Sequence, residues 1–411
     1  MKQVAGPRRR NRGVPRWTMP LAVLALVIGV GAFVFGMPPL LNTRAAGSSA
    51  AIGSVTYLAA GEKGSVWLAV GVSESGPPDA EFNKTVLYKT SSAKLQWTKV
   101  LEVSSKGSIR RLWFFGSGRV SAWLGSDFLG PPTPSLIMRT ADGGARWGSS
   151  PAPGDEGVIG VSFITPAEGW DLVSTGVATH NQGCVLYRTR DGGGHWTEIA
   201  RVIPFQPSTS GLRSDEKTGV EFRDADNGWI ETESIASMGY LYVSRDGGAT
   251  WKQQLLRPPA GMPDNFVRVL PPKFFGDRAG VAVALLPRGT LAVPFVYQTA
   301  DGGRSWADPR ELPIQGLGDS KAWDFLSPGI WAASSDRTLW LSSDAGRTWS
   351  QLSVPFPPTH KIDRVRFTGP TRVWLIGSAV PPGGDLPIAD YALESPDLGL
   401  HWERVALPQV H

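Results

Sequence analysis

Beyond residue 50 the chain is a succession of short apolar runs, each closed off by glycine, proline and small polar residues. Seven of them are "SVWLAVG", "VSAWLGS", "EGWDLVS", "NGWIETES", "AGVAVAL", "GIWAASS" and "RVWLIGS". They are rich in Val, Trp and Ile and lack the three-to-four-residue spacing of an amphipathic helix, so they predict β-strands. Apolar segments such as "VSFI", "VEFRD" and "VRFT" precede them, and a third kind of run, as in "VLYRT", follows. Strand is therefore expected nearly everywhere after the first 51 residues.

A polar motif keeps step with these runs. The pattern Ser/Thr-x-Asp-x-Gly-x-x-Trp occurs as "TADGGARW" (140–147), "TRDGGGHW" (189–196), "SRDGGATW" (244–251), "TADGGRSW" (299–306), "SSDAGRTW" (342–349) and "SPDLGLHW" (395–402). A seventh copy, "TSSAKLQW" (90–97), keeps the first hydroxyl and the last Trp but has neither Asp nor Gly. The closing residues Trp97, Trp147, Trp196, Trp251, Trp306, Trp349 and Trp402 are spaced by 50, 49, 55, 55, 43 and 53 residues. Each unit reads as strand, turn, Trp strand, loop, strand, motif and a last strand, and four strands in about 50 residues is the size of one propeller blade. The expected fold is all-β: a seven-bladed β-propeller of four-stranded antiparallel blades. Its blades are expected at about 52–102, 103–152, 153–203, 204–257, 258–313, 314–355 and 356–411. Thirteen of the 17 Trp belong to the repeat, among them Trp67, Trp123, Trp170, Trp229, Trp331 and Trp374 of the central runs. Large flat rings suit the wedge between twisted sheets.

Placed between the third and fourth strands, the motif is a hairpin connection. Asp142, Asp191, Asp246, Asp301, Asp344 and Asp397 are expected to accept hydrogen bonds from the amides of their own turns. The glycine two positions on supplies a positive φ, the hydroxyl adds a side-chain bond, and the Trp packs back across the hairpin. A calcium loop needs more oxygen ligands than one carboxylate, and a phosphate cradle needs a helix where a strand follows. Six near-copies point to fold maintenance, because a catalytic site is needed once.

The first 51 residues have a different pattern. Lys2, Arg8, Arg9, Arg10, Arg12 and Arg16 precede an unbroken apolar run from Leu21 to Met37. Seventeen helical residues span roughly 26 Å, near the ~30 Å of a bilayer core. This predicts a basic cytoplasmic tail (1–18), a transmembrane anchor (19–41) and a short linker (42–51), with the propeller outside the cytoplasmic membrane. A cleaved secretory signal is the alternative, and "RAAGSSAA" (44–51) offers a cut site.

The tail also accounts for the net charge of +5. Residues 1–44, with Arg44 added to the six of the tail, hold seven of the 41 basic residues and no acid, leaving 34 basic against 36 acidic in the remainder. The globular part has no charge excess of the nucleic-acid-binding kind. The single cysteine, Cys184, excludes an intrachain disulfide and is read as a small buried apolar residue. One Cys and five scattered His (180, 195, 360, 401 and 411) build no zinc set, so no metal or cofactor is expected.

The motif resembles the Asp-box, or BNR, repeat of sialidases, sortilin-like receptors and several glycoside hydrolases, over essentially all of residues 52–408. The "GW" strand combined with "T-x-DGG-x-x-W" at a period near 50 is more similar to the photosystem II stability/assembly-factor type of BNR propeller. That resemblance implies a non-enzymatic assembly or interaction factor whose partner is another membrane or exported protein. A sialidase-like or other carbohydrate-active enzyme, or a sugar-binding propeller, is the alternative. The early Arg-Ile-Pro type motif of sialidases is missing, and the nearest text, "RVIP", falls at 201–204. Within the propeller reading, the first strand of each unit is expected innermost. Charged residues there, Arg110, Arg111, Glu221, Arg223, Arg268, Asp324, Arg364 and Arg366, are candidates for a recognition patch at the channel mouth. Solvated strand ends paired with neighbouring acids are the competing reading. The long connections at 71–85, 126–135, 203–219 and 378–390 are further binding candidates.

Overall fold

The computed structural model describes residues 52–409, apart from 74–81, 92–93, 105–106, 126–134, 155–156, 179–180, 234–239, 263–265, 290, 315–321 and 381–386. The tail, anchor and linker expected over 1–51 lie outside the described residues, as do parts of the long connections, His180 and His411. Among the described residues no helix is long and apolar enough to cross a membrane. One 3-10 turn, Glu62–Gly64, is the sole helical element described.

Everything else is antiparallel strand, taken in sequence order. The first sheet is β1 (Ile52–Ala60), β2 (Val66–Ser73), β3 (Lys84–Ser91) and β4 (Lys94–Val103). The second is β5 (Ser108–Phe114), β6 (Val120–Gly125), β7 (Leu136–Thr140) and β8 (Gly148–Pro151). The third is β9 (Val158–Phe163), β10 (Gly169–Ala178), β11 (Asn181–Thr189) and β12 (Thr197–Val202). Next come β13 (Lys217–Phe222), β14 (Gly228–Glu233), β15 (Leu241–Ser244) and β16 (Lys252–Gln254). These are continuous with β17 (Arg268–Val269), β18 (Lys273–Phe275), β19 (Ala279–Arg288), β20 (Leu291–Thr299) and β21 (Arg310–Glu311). The nine strands join because the short β17 pairs with both β14 and β19. The last two sheets are β22 (Trp323–Phe325), β23 (Trp331–Ser335), β24 (Thr338–Ser342), β25 (Ser350–Ser353) and β26 (Lys361–Phe367), β27 (Val373–Ala379), β28 (Ile388–Ser395), β29 (Glu403–Val405).

Consecutive sheets stack through the repeat tryptophans. Trp67, Trp170, Trp229, Trp331 and Trp374 are fully buried. Trp67 on β2 meets Phe114 of the next sheet edge-on at 5.6 Å, and Trp229 on β14 meets Phe274 at 4.7 Å. Trp170 lies flat on Phe222, with centroids 3.8 Å apart and planes 4° from parallel. Both faces of each central strand are thereby covered, which is why β2 is apolar at nearly every position rather than at alternate ones.

The first and last sheets also meet. Ser54 Oγ accepts the Ala389 amide at 3.0 Å, and Arg364 Nη2 donates to Thr56 O at 2.9 Å. Trp97 Nε1 donates to Ala406 O at 2.8 Å while its ring stands edge-on to Trp374. A shared core including Leu58, Leu68, Val70, Trp374 and Ile376 fills the join. The stack therefore closes by face-to-face packing, with no strand exchanged between first and last sheets. This is the architecture of a β-propeller.

Candidate functional site

The six Asp motifs have one geometry. In each the Ser or Thr hydroxyl donates to Asp Oδ1 at 2.8–2.9 Å and accepts the amide four residues on at 2.6–3.0 Å. The same Oδ1 accepts the amide of Arg146, His195, Thr250, Ser305, Thr348 or His401 at 2.9 Å. The side chain at that position supplies a second bond to Oδ2, as from Ser305 Oγ and Thr348 Oγ1. So many donors favour the charged form. The Arg146 amide and the Thr140 hydroxyl hold Asp142 down to about 2, and the side chain and amide of His401 do the same for Asp397. Asp191, Asp301 and Asp344 lie lower still. All these carboxylates are spent on their turns. Their contribution to stability is complete above the ordinary aspartate pKa near 4 and is lost as pH falls below it.

The turns need two left-handed residues, not one. Gly302 and Gly303 have φ of +74° and +76°, and the equivalent pair in the 342–349 motif is Ala345 and Gly346, at +61° and +73°. A Cβ on Gly302 would also come within 2.8 Å of Asp277 O, whereas Ala345 has room for its own. Ala345→Gly is therefore expected to stabilise by up to about 1 kcal/mol, the left-handed penalty relieved less the added freedom of the unfolded chain. Gly302→Ala should destabilise, and urea denaturation of the pair checks both signs.

A second feature of these turns was missed in the sequence. Their carbonyls accept cations from the preceding repeat. Lys89 Nζ donates to Gly143 O at 3.4 Å, and Arg139 Nη1 to Asp191 O and Gly192 O at 3.0 and 2.7 Å. Arg223 Nη1 reaches Gly302 O at 2.9 Å and Arg245 Nη2 reaches Gly303 O at 2.8 Å. Arg310 bonds Ala345 O in the same way. The available signal was a basic residue directly before the motif hydroxyl, as at Lys89 and Arg139. The motif is thus a clasp between sheets as well as within one.

The other candidates centre on an axial cavity of about 890 Å³. Every first strand contributes: Tyr57 and Ala59 of β1, Arg111–Phe114 of β5, Phe163 of β9, Glu221 and Phe222 of β13, Lys273 and Phe274 of β18, Trp323–Phe325 of β22, and Arg366 of β26. Nine of the lining residues are aromatic. Five of the eight sequence candidates line the cavity: Arg111, Glu221, Arg223, Asp324 and Arg366. Arg110, Arg268 and Arg364 are not among its lining residues. Arg110 Nε donates to Gly125 O at 3.4 Å. Arg268 pairs with Glu231, and lies 4.0 Å from Glu233, where β17 bridges its neighbours. Arg364 belongs to the ring closure.

The lining charges are mostly matched in pairs. Arg111 holds Glu221 through both guanidinium ends, with Nη2 to Oε1 at 2.9 Å, reaching past the sheet between them. Burial disfavours the Arg111 charge, but the adjacent carboxylate outweighs it and the guanidinium pKa is raised. Lys273 Nζ donates to Asp324 Oδ1 at 3.0 Å, and Asp324 Oδ2 accepts the Phe367 amide at 2.9 Å. Arg223 is bound to Asp224. Arg366 is different: its Nη1 donates to the carbonyls of Trp323 and Val365, and it has no carboxylate partner among the described residues.

Cys184 is buried, and burial pushes its thiol up to about 11. His195 and His401 serve their motif aspartates, and His360 bonds Asp390 at 3.0 Å. Among the described residues no group of three or more His, Cys, Asp or Glu could hold a metal ion.

The BNR/Asp-box repeat family matches residues 242–253, which contain the third of the six Asp motifs. No curated protein matches the chain in sequence. Among solved structures, the chain is similar to YCF48 bound to a D1 peptide (19% identity over 72% of this chain and 80% of that one, TM-score 0.45). It is also similar to YCF48 from Cyanidioschyzon merolae (16%, 79% and 92%, TM-score 0.48). The GH74 xyloglucanase of Xanthomonas campestris matches at 16% identity over 84% of this chain, with a TM-score of 0.51, and the chain spans about half that enzyme's length (52%). At such identity the likeness to the xyloglucanase shows the fold. The chain is a β-propeller with a BNR/Asp-box repeat at residues 242–253.

Proposed function

We propose that this chain is a seven-bladed propeller that works by binding another polypeptide at its axial cavity, as an interaction or assembly factor rather than an enzyme. In this reading β13–β16 and β17–β21 are two blades, bringing the total to seven. An N-terminal helix at 19–41 tethers the propeller outside the cytoplasmic membrane. The supporting observation is the cavity wall itself, with aromatic side chains from several of the sheets and two of its three carboxylates, those of Glu221 and Asp324, already committed. Glu221 is held by Arg111 and Asp324 by Lys273 and a backbone amide. Glycoside hydrolysis needs two carboxyl groups free to act as acid and as base or nucleophile; with these two engaged, Asp277 is the one carboxylate of the wall left without a partner among the described residues. Aromatic walls with a few oriented polar groups suit the side chains of a bound segment, and Arg366 supplies an unmatched charge for an acidic one.

The test uses the full chain in its own membrane, with a photo-crosslinking residue in place of Phe115, on the cavity wall, or of Leu400, exposed on the last motif. The Phe115 position should capture a polypeptide and the Leu400 position should not, and adding Arg366→Glu should reduce capture several-fold. Equal labelling from both positions, or turnover of a panel of chromogenic glycosides, would refute the reading.

A further inference from the structure

Beside the axial cavity is a smaller pocket of about 420 Å³, formed where the turn after β13, the β18–β19 turn and the 299–306 motif meet. Four arginines line it: Arg223, Arg245, Arg278 and Arg304, with Asp277 and Asp301. Its charges do not cancel. Asp301 is consumed by its turn, its Oδ1 accepting the Arg304 and Ser305 amides and the Thr299 hydroxyl, its Oδ2 the Ser305 hydroxyl. Arg223 is consumed too, bridging Asp224 to the Asp277 and Gly302 carbonyls. The remaining three arginines have no carboxylate partner among the described residues. Arg245 is fixed by Asn227 Oδ1 and Gly303 O, each at 2.8 Å, with its guanidinium 5.0 Å above the Trp229 ring. Arg278 uses only Nε, toward Ala300 O at 3.2 Å. Among the described residues no hydrogen bond or ion pair holds the Arg304 guanidinium. With Arg223 balanced by Asp224, Asp277 and the ionised Asp301 are left to oppose them, a local surplus of about one positive charge in a concave site.

We propose that this pocket binds a multiply charged oxyanion of the phosphate type, free or as a monoester. The surplus is positive, and the unused Nη donors of Arg278 with the whole guanidinium of Arg304 form forks suited to tetrahedral oxygens. Arg245 is the pre-placed floor of the site, and burial together with the crowding of Arg223 and Arg304 lowers its pKa, a cost that a bound anion removes. The site is separate from the axial cavity although Arg223 and Asp277 border both, and it stands or falls independently of what the cavity binds.

The experiment is calorimetric titration of the full chain, purified in detergent, with inorganic phosphate at constant ionic strength against a chloride control. One saturable site is expected. Arg278→Gln with Arg304→Gln should weaken it at least tenfold while leaving the melting temperature within a few degrees, since both side chains are exposed and hold no other sheet. Arg347→Gln, at the position equivalent to Arg304 in the next motif, should leave binding unchanged. Glucose 6-phosphate binding more tightly than phosphate assigns an esterified ligand, and equal or weaker binding assigns the free ion. Phosphate heats no larger than those of chloride, or a double variant that binds as the parent does, would overturn the proposal.

Discussion

Trp170→Ala is expected to cost about 3–5 kcal/mol, the range for deleting a large buried aromatic side chain. Trp170 is fully buried on β10, and the contacts that matter leave its own sheet. Its ring lies flat on Phe222 of β13, its Nε1 donates to Gly247 O at 2.9 Å in the following motif, and the Arg188 guanidinium sits 4.8 Å from its centroid. Alanine would empty the wedge between two sheets and strand a buried carbonyl. Trp170→Phe separates the contributions: it keeps the stack and forfeits the hydrogen bond, so about 1–2 kcal/mol should suffice. Chemical denaturation followed by circular dichroism measures both. A cost below about 1 kcal/mol for alanine would mean that the sheets are held together elsewhere.

That tryptophan was legible in the sequence because its period is, and the same holds for the motif turns. Thr299, Asp301, Gly303 and Ser305 satisfy one another within a single turn, so their spacing carries the structure. What the spacing could not carry were contacts between repeats. Ser54 meets Ala389 across 335 residues, and Arg111 meets Glu221 across 110. Nothing local distinguishes a paired arginine from a free one, so the candidate patch comprised Arg111, which is neutralised, alongside Arg366, which has no carboxylate. The anion pocket was missed for a related reason. Arg245 and Arg304 stand in motifs whose other copies carry residues as varied as Ala, Arg, Pro and Leu there, and only the packing of two repeats brings them together with Arg278. The bulk of the fold is encoded locally, and the candidate sites are encoded in how copies differ.

Asp171→Val is expected to stabilise the protein at neutral pH by about 1–3 kcal/mol, the cost attached to a buried polar group with no partner. Alternation along "GWDLVS" would assign Asp171 to a wet face, but a central strand in a stack of sheets has none. Its cross-strand neighbour Val161 packs with Ile137 and Trp123 of the preceding sheet, and both Asp171 carboxyl oxygens are buried without a hydrogen bond. Burial alone raises its pKa well above the ordinary value. The native state therefore keeps a proton that the unfolded chain releases above pH 4, so unfolding loses a proton and stability falls as pH rises toward the native pKa. The motif aspartates have the opposite sign, but their contribution is complete above pH 4 and common to both proteins. The stability gap between Asp171→Val and the parent should thus widen between pH 5 and 8, with a slope of up to about 1.4 kcal/mol per pH unit. Denaturation midpoints across that range measure it directly. A gap that stays flat would show that the carboxyl is ionised and paired in the native ring, and a valine variant less stable at every pH would show that the carboxyl is doing structural work there.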